Sequence, residues 1–242
     1  MIAHQVANLA TVLATRTDPN AGRWFANPVI AQTYWQSVWE TLAMTGLSSL
    51  VTVLFGLPLG LLLVATRRDG LLPNRGVHHA LALVVNIGRS IPFIILIIAI
   101  LPITRFIAGS TLGWKAAVVP LTIGAIPFFA RLVETAILGV DPGKIEAAHM
   151  MGAKRWQIMS GVQVREALPA LIQSITVLVI TLVSYSAMAG AIGGGGLGQL
   201  AMNYGYQRYQ DDVMILAVVG ILIIVQAIQA IGDMCSRLVD HR

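Results

Sequence analysis

Apolar residues along this chain come in long unbroken runs, without strict alternation, and the polar residues gather between them. A helix crosses the hydrocarbon core of a bilayer with about 20 consecutive apolar residues. Five stretches meet that length: 42–65, 80–101, 116–138, 168–191 and 213–231. Backbone groups in lipid must be bonded internally, and runs without alternation favour helices over barrel strands. The pattern predicts an all-α polytopic membrane protein with about five transmembrane helices. Residues 1–37 are polar and mixed, which sets them apart as an N-terminal extension from a membrane domain over 38–242. Inside that extension, 2–14 carries Ile2, Val6, Leu9 and Leu13 on one face, the pattern of a short interfacial helix rather than a span or a cleaved signal.

Composition agrees. Of 242 residues, 56% are hydrophobic and 11% charged, against about a quarter charged in soluble domains. A water-soluble globule would lack the polar residues to cover its core. Cys235 is the only cysteine, which excludes disulfide frameworks and Cys-rich zinc sites. The histidines (His4, His78, His79, His149, His241) all lie outside the apolar runs, which weighs against metalloprotease or haem chemistry within the membrane. The net charge of +5 belongs to the loops of a membrane chain and calls for no nucleic acid.

Five spans place the termini on opposite sides. The segments sharing a side with the C-terminus (66–79, 139–167, 232–242) hold nine Lys and Arg, while 1–41, 102–115 and 192–212 hold five. Positive residues stay in the cytoplasm. The N-terminus is therefore expected outside, the C-terminus in the cytoplasm, and 139–167 becomes the largest cytoplasmic loop.

Pro58, Pro92, Pro120 and Pro127 fall inside spans, where ordinary kinked packing accounts for each taken singly. Gly56 and Gly60 form a small-xxx-small face suited to close helix contact. Arg89 stands well inside an apolar run, where a charge is costly; it points at carbonyls, a cavity or another subunit, or it snorkels to the inner interface. Arg131 and Glu134, three apart near the inner end of the third span, read as a local ion pair.

In the cytoplasmic loop, Asp141-Pro142-Gly143 turns the chain into a short helix ending near Gly152, with Ile145, Ala148 and Met151 or Gly152 on one face. Physics alone leaves two readings: an ordinary amphipathic surface helix, or one that docks in a groove of another protein. In the fourth span Ser174, Thr181, Ser184 or Tyr185, and Met188 recur near one face. Those hydroxyls either bond a neighbouring helix or wet a passage. The run 193–198 formally fits Gly-x-Gly-x-x-Gly, but it follows an apolar helix rather than a strand, so it is rejected as a nucleotide site. A flexible or re-entrant outer segment and a plain external loop both remain open. No phosphate-cradling Gly-x-x-x-x-Gly-Lys-Ser/Thr occurs.

Glu146-Ala147-Ala148, three residues and then Gly152 resembles the EAA loop of permease subunits in binding-protein-dependent ABC importers. The family continues, nine residues on, with Ile-x-Leu-Pro; here Val162-Gln163-Val164-Arg165 stands there, with Leu168-Pro169 four residues later. Further segments are similar to the permease of methionine importers, the methionine uptake transporter family. They include Glu40-Thr41-Leu42, Asn86-Ile87-Gly88-Arg89-Ser90-Ile91-Pro92-Phe93, Pro120 through Glu134, Ser184-Tyr185-Ser186-Ala187-Met188, and Asn203-Tyr204-Gly205-Tyr206.

The resemblance implies a non-enzymatic subunit in the bacterial cytoplasmic (inner) membrane that works with a second copy of itself. It further implies a cytoplasmic ATPase dimer that carries ATP and Mg, and an extracytoplasmic substrate-binding protein. Glu146, Ala147, Ala148 and Gly152 would couple to the ATPase; where the hydroxyls of the fourth span wet a passage, Ser184, Tyr185 and Met188 line the gate between the two copies. The rivals are the same machine with another amino acid or small organic anion, an ion-coupled secondary transporter, and a membrane enzyme. The second wants acidic residues at mid-membrane, where Glu134 is the only carboxylate within a span. The third wants a nucleophile–base or metal set that the spans lack.

Overall fold

The computed structural model describes residues 27–239, all helices and connections. The segment 2–14 lies outside the described residues. Helix α1 (Pro28–Ala65) starts well before its apolar run, because Pro28 takes the first helical turn and the Asn27 side chain accepts from Val29 N at 3.0 Å. After it come α2 (Arg75–Ser90), α3 (Phe93–Ala99), α4 (Leu101–Ala108) and α5 (Trp114–Leu138). The loop helix α6 (Pro142–Met150) leads into α7 (Arg155–Ile158), a π turn at Met159–Gln163 and a short Val164–Glu166 segment. Then follow α8 (Leu168–Ala191), α9 (Gly196–Leu200) with a π turn at Ala201–Tyr206, and α10 (Asp211–Val239).

Four helical stretches are long and apolar enough to cross a membrane, and five when α2 and α3 count as one span. That second span corrects the expectation of one helix over 80–101. Its two pieces meet at 100°. Pro92 has no N–H to give and drives Ile91 into extended backbone (φ −81°, ψ 122°), so the helix ends at Ser90. The 16 residues of α2 rise about 24 Å, short of a bilayer core of about 30 Å. The chain nevertheless climbs the whole length of α5. Val85 meets Ala130, Gly88 meets Pro127, Phe93 and Leu96 meet Gly124, and Thr104 borders Ala116.

The core sits where α1 lies on α5, around Met44, Leu121, Phe129 and Val133. Gly56 and Gly60 make that approach possible. A Cβ on Gly60 would fall 2.6 Å from Val133 Cβ, and one on Gly56 2.9 Å from Phe129 Cδ1. Thr41, Thr45 and Ser49 satisfy their buried hydroxyls on carbonyls four residues back, at 3.0, 2.7 and 2.6 Å.

The glycine run makes a tight reversal. With Gly193, Gly195 and Gly196 at φ of +90°, +82° and +74°, the chain reverses and α9 packs back against α8. Backbones touch there: a Cβ on Gly190 would lie 2.4 Å from Gln199 N, and one on Gly198 2.5 Å from Ala187 Cα.

Candidate functional site

Chemistry-bearing residues gather at three levels: the α6 loop, a groove over α5, and the glycine turn at the opposite end. In the loop, Asp141 caps α6 by accepting from Gly143 N at 2.8 Å. The helix closes with Gly152 N donating to His149 O at 3.0 Å and Ala153 N to Ala148 O at 3.1 Å. Gly152 takes φ +77° to make this closure, and a Cβ there would meet nothing within 4 Å. Its requirement is conformational. The Lys144 ammonium pairs with the Glu166 carboxylate and ties α6 to the end of the loop.

Of the face expected to dock, Ile145 is half-buried and Ala148 is 4% exposed, so these two turn onto the chain's own core, while Met151 and Gly152 stay exposed. Glu146 and Ala147 are exposed, and beside them Met150 (90%), Met151 (81%) and Trp156 (69%) stand in the open. The reason lies in the loop's return. Ile158 and Gln163 come back beneath α6 and are buried there, so the apolar i, i+3 pair faces inward. Arg165 is exposed, and the role of a helix-starting proline passes to Pro169 in the first turn of α8.

The groove has α5 as its floor, α2 on one side and α8 on the other. Its lower part is a cavity of about 400 Å³ between α5 and α8, bordered by Thr135, Gln173, Ser174 and Val177. On α8, Gln173, Val177, Ser184 and Met188 are all exposed, in a helix otherwise rich in Ile, Leu and Val. The hydroxyls of Ser174, Thr181 and Ser184 each donate to the carbonyl four residues back, at 2.8, 2.7 and 3.4 Å. Among the described residues they bond no neighbouring helix.

Above the cavity, α3 and α8 meet through two aromatic rings. Tyr185, half-buried beside Ser184, is stacked on Phe93, with centroids 4.3 Å apart and planes within 4°. The break at Ile91-Pro92 is what swings Phe93 across to α8.

On the α2 side, Arg131 Nη1 contacts Glu134 Oε2 at 2.5 Å, and its Nη2 donates to Asn86 Oδ1 at 2.8 Å. Glu134 is nearly buried, while a quarter of the Arg131 side chain remains exposed. Arg89, one turn above Asn86 on α2, is exposed.

At the glycine turn, Glu40 Oε2 accepts from Gly196 N at 2.9 Å and Thr41 Oγ1 accepts from Leu197 N at 2.9 Å. Gln199 Oε1 accepts from Gly195 N at 2.8 Å. A polar cavity of about 420 Å³ opens beside them, bordered by Gln36, Asn203 and Tyr204.

The sequence alone does not single out Phe93, Asn86, Glu40 and Thr41 as site residues. A polar pair at the mouth of a span hints at Glu40 and Thr41, but the partners of Phe93 and Asn86 are set by the bend and leave no local signal. Among the described residues, no three His, Cys, Asp or Glu converge on a metal position.

Residues 56–242 match the family described as binding-protein-dependent transport system inner membrane component. The probable D-methionine transport system permease protein of Vibrio cholerae is 50% identical over 91% of this chain and 97% of its own. The methionine import system permease protein of Bacillus subtilis is 49% identical over 91% of this chain and 99% of its own. A solved structure of the MetNI methionine ABC transporter, inward facing, superposes with a TM-score of 0.87 at 46% identity, covering 89% of this chain and all of that one.

Proposed function

This chain belongs to the family of binding-protein-dependent transport system inner membrane components, and on that footing we propose that it forms the methionine passage of an ATP-driven ABC importer. The observation that carries the reading is the likeness to methionine permeases over nearly the whole chain. The groove supports it, since one copy offers only a half-channel.

A second copy completes the passage, meeting the first across a two-fold axis with α8 stripes facing each other. Ser184 and Met188 line it, and Tyr185 acts from the stack on Phe93 as the barrier. Hydroxyls suit a zwitterion, and the soft Met188 thioether suits a thioether cargo. D-methionine falls within the same reading, since a relative's name specifies that enantiomer.

The exposed face of α6 (Glu146, Ala147, Met150, Met151) docks on a cytoplasmic ATPase, which holds ATP and Mg because this chain has no phosphate-binding loop. Ala148 and Gly152 shape that helix from within. Closure of the ATPase dimer pulls on α6 and biases the helices toward an outward-open packing, and hydrolysis resets them. The charge bias of nine to five supports a cytoplasmic α6 loop and C-terminus. The glycine turn and residues 1–37 then lie outside, where an extracytoplasmic binding protein delivers cargo. The exposed leucines and isoleucines of α1 and α10 meet the lipid of the inner membrane.

The test is reconstitution of the permease with its ATPase and binding protein in proteoliposomes. Labelled methionine should accumulate when ATP is supplied on the side of the ATPase and not without it. Uptake of another amino acid in preference to methionine contradicts the cargo.

A further inference from the structure

Two arginines stand inside the spans, and the chain treats them differently. Arg131 is paired with Glu134 and bonded to Asn86. Arg89 is exposed and bonds no side chain or backbone group among the described residues. Its neighbour Gly88 packs on Pro127, near the middle of α5, so Arg89 is far from either end of that 25-residue helix. An ionised guanidinium facing lipid there is costly.

The helix itself shows where Arg89 faces. At about 100° per residue, Arg89 falls on the flank that holds Asn86, the side from which Arg131 is reached. Arg75 and His79 lie lower on that flank, while Val84 and Ile87 occupy the opposite one. A helix that is polar along one flank and apolar along the other, inside a membrane, borders water on its polar side. Here that side adjoins the groove over α5. Arg131 brings no net charge to the groove, because Glu134 balances it. Arg89 does.

We propose that Arg89 recognises the carboxylate of the amino-acid cargo as it passes the level of the Phe93–Tyr185 stack, the guanidinium fork meeting the two carboxylate oxygens side by side. The proposal rests on the groove being the methionine passage. It adds a specificity rule: the passage selects for a carboxylate and leaves the uncharged side chain to softer contacts with Met188.

The test uses the reconstituted permease–ATPase complex with its binding protein, with Cys235 replaced by Ser in the permease. Arg89→Cys should assemble and hydrolyse ATP, yet move about tenfold to a hundredfold less methionine per ATP, the range expected for a lost charge-assisted bond. Treating the detergent-solubilised variant with an aminoethyl thiosulfonate restores a positive charge and should restore most of the uptake. A sulfonatoethyl reagent should not, and the Cys235→Ser complex treated alike controls for thiols of the ATPase. Arg89→Lys, which keeps the charge without the fork, should fall between wild type and Arg89→Cys.

Full uptake by Arg89→Cys overturns the proposal. So does an introduced thiol at position 89 that reacts with neither reagent, since the groove is then dry. A fall of hydrolysis and assembly in step with uptake also overturns it, because the arginine is then structural. A wild type that moves no methionine brings down the cargo reading and this proposal together; a working wild type with an equally good Arg89→Cys brings down this proposal alone.

Discussion

The ring of Phe93 lies flat on that of Tyr185, 4.3 Å from centroid to centroid, and this contact joins the broken second span to the polar stripe of α8. Neither residue reaches the other unless the chain bends at Ile91-Pro92. Such a stack adds about 0.5–1.5 kcal/mol beyond the area it buries.

Phe93→Ala or Tyr185→Ala should therefore loosen the barrier. The complex should still hydrolyse ATP but deliver fewer methionines per ATP, and Tyr185→Phe should behave as wild type because the stack needs no hydroxyl. Unchanged coupling in both alanine variants removes the stack from the gate.

The α6 helix yields a separation of roles. Ala148→Leu presses bulk into the chain's own core and should destabilise the isolated permease by about 1–3 kcal/mol, read as a lower melting temperature with no ATPase present. Met150→Asp with Met151→Asp should leave that melting temperature unchanged and reduce co-purification of the ATPase. Gly152→Ala should weaken the same docking at a cost of about 1 kcal/mol, through backbone strain at φ +77°. ATPase binding that survives the Met pair sinks the exposed face as the docking surface.

Glu40 reaches across the fold to the N–H of Gly196. Glu40→Ala should cost about 0.5–2 kcal/mol of thermal stability, as for a lost helix cap, and Glu40→Gln less, since an acceptor remains. Gly196→Ala should be worse than either: its Cβ would fall 2.5 Å from Met44 Cε with φ at +74°. Equal melting temperatures for Gly196→Ala and wild type would show that the turn is not pinned.

Side-specific labelling checks the orientation. With Cys235 replaced, cysteines at positions 75 and 154 should react only with reagents reaching the cytoplasm, and one at 207 only from outside. Reversed labelling overturns the placement of α6 beside the ATPase.

Much of this was legible in the residues. Long apolar runs mark the spans because lipid leaves the backbone no alternative to the helix, and the spacing of Gly56 and Gly60 marks a close helix contact, though not that its partner is α5. What stayed hidden depends on distance in sequence. Pro92 announces a kink, yet whether the helix bends gently or turns by 100° depends on the room between α5 and α8. The burial of Ala148 is hidden in the sequence because Ala148 looks alike on a docking face and on a buried one. Only Ile158 and Gln163 returning beneath it decide which. The glycines at 193–198 are legible as flexible backbone, but their closure by Glu40 and Thr41 is a contact across 156 residues.

The central claim is that the open stripe of α8 lines a passage closed by a second copy. Cysteines at 184 and 188, in a permease whose Cys235 is replaced, can be cross-linked between subunits with and without trapped ATP. The account predicts links at one or both positions with a yield that changes when nucleotide is trapped. Cysteines that stay unlinked and unreactive in both states would place α8 among the packing helices and the passage elsewhere.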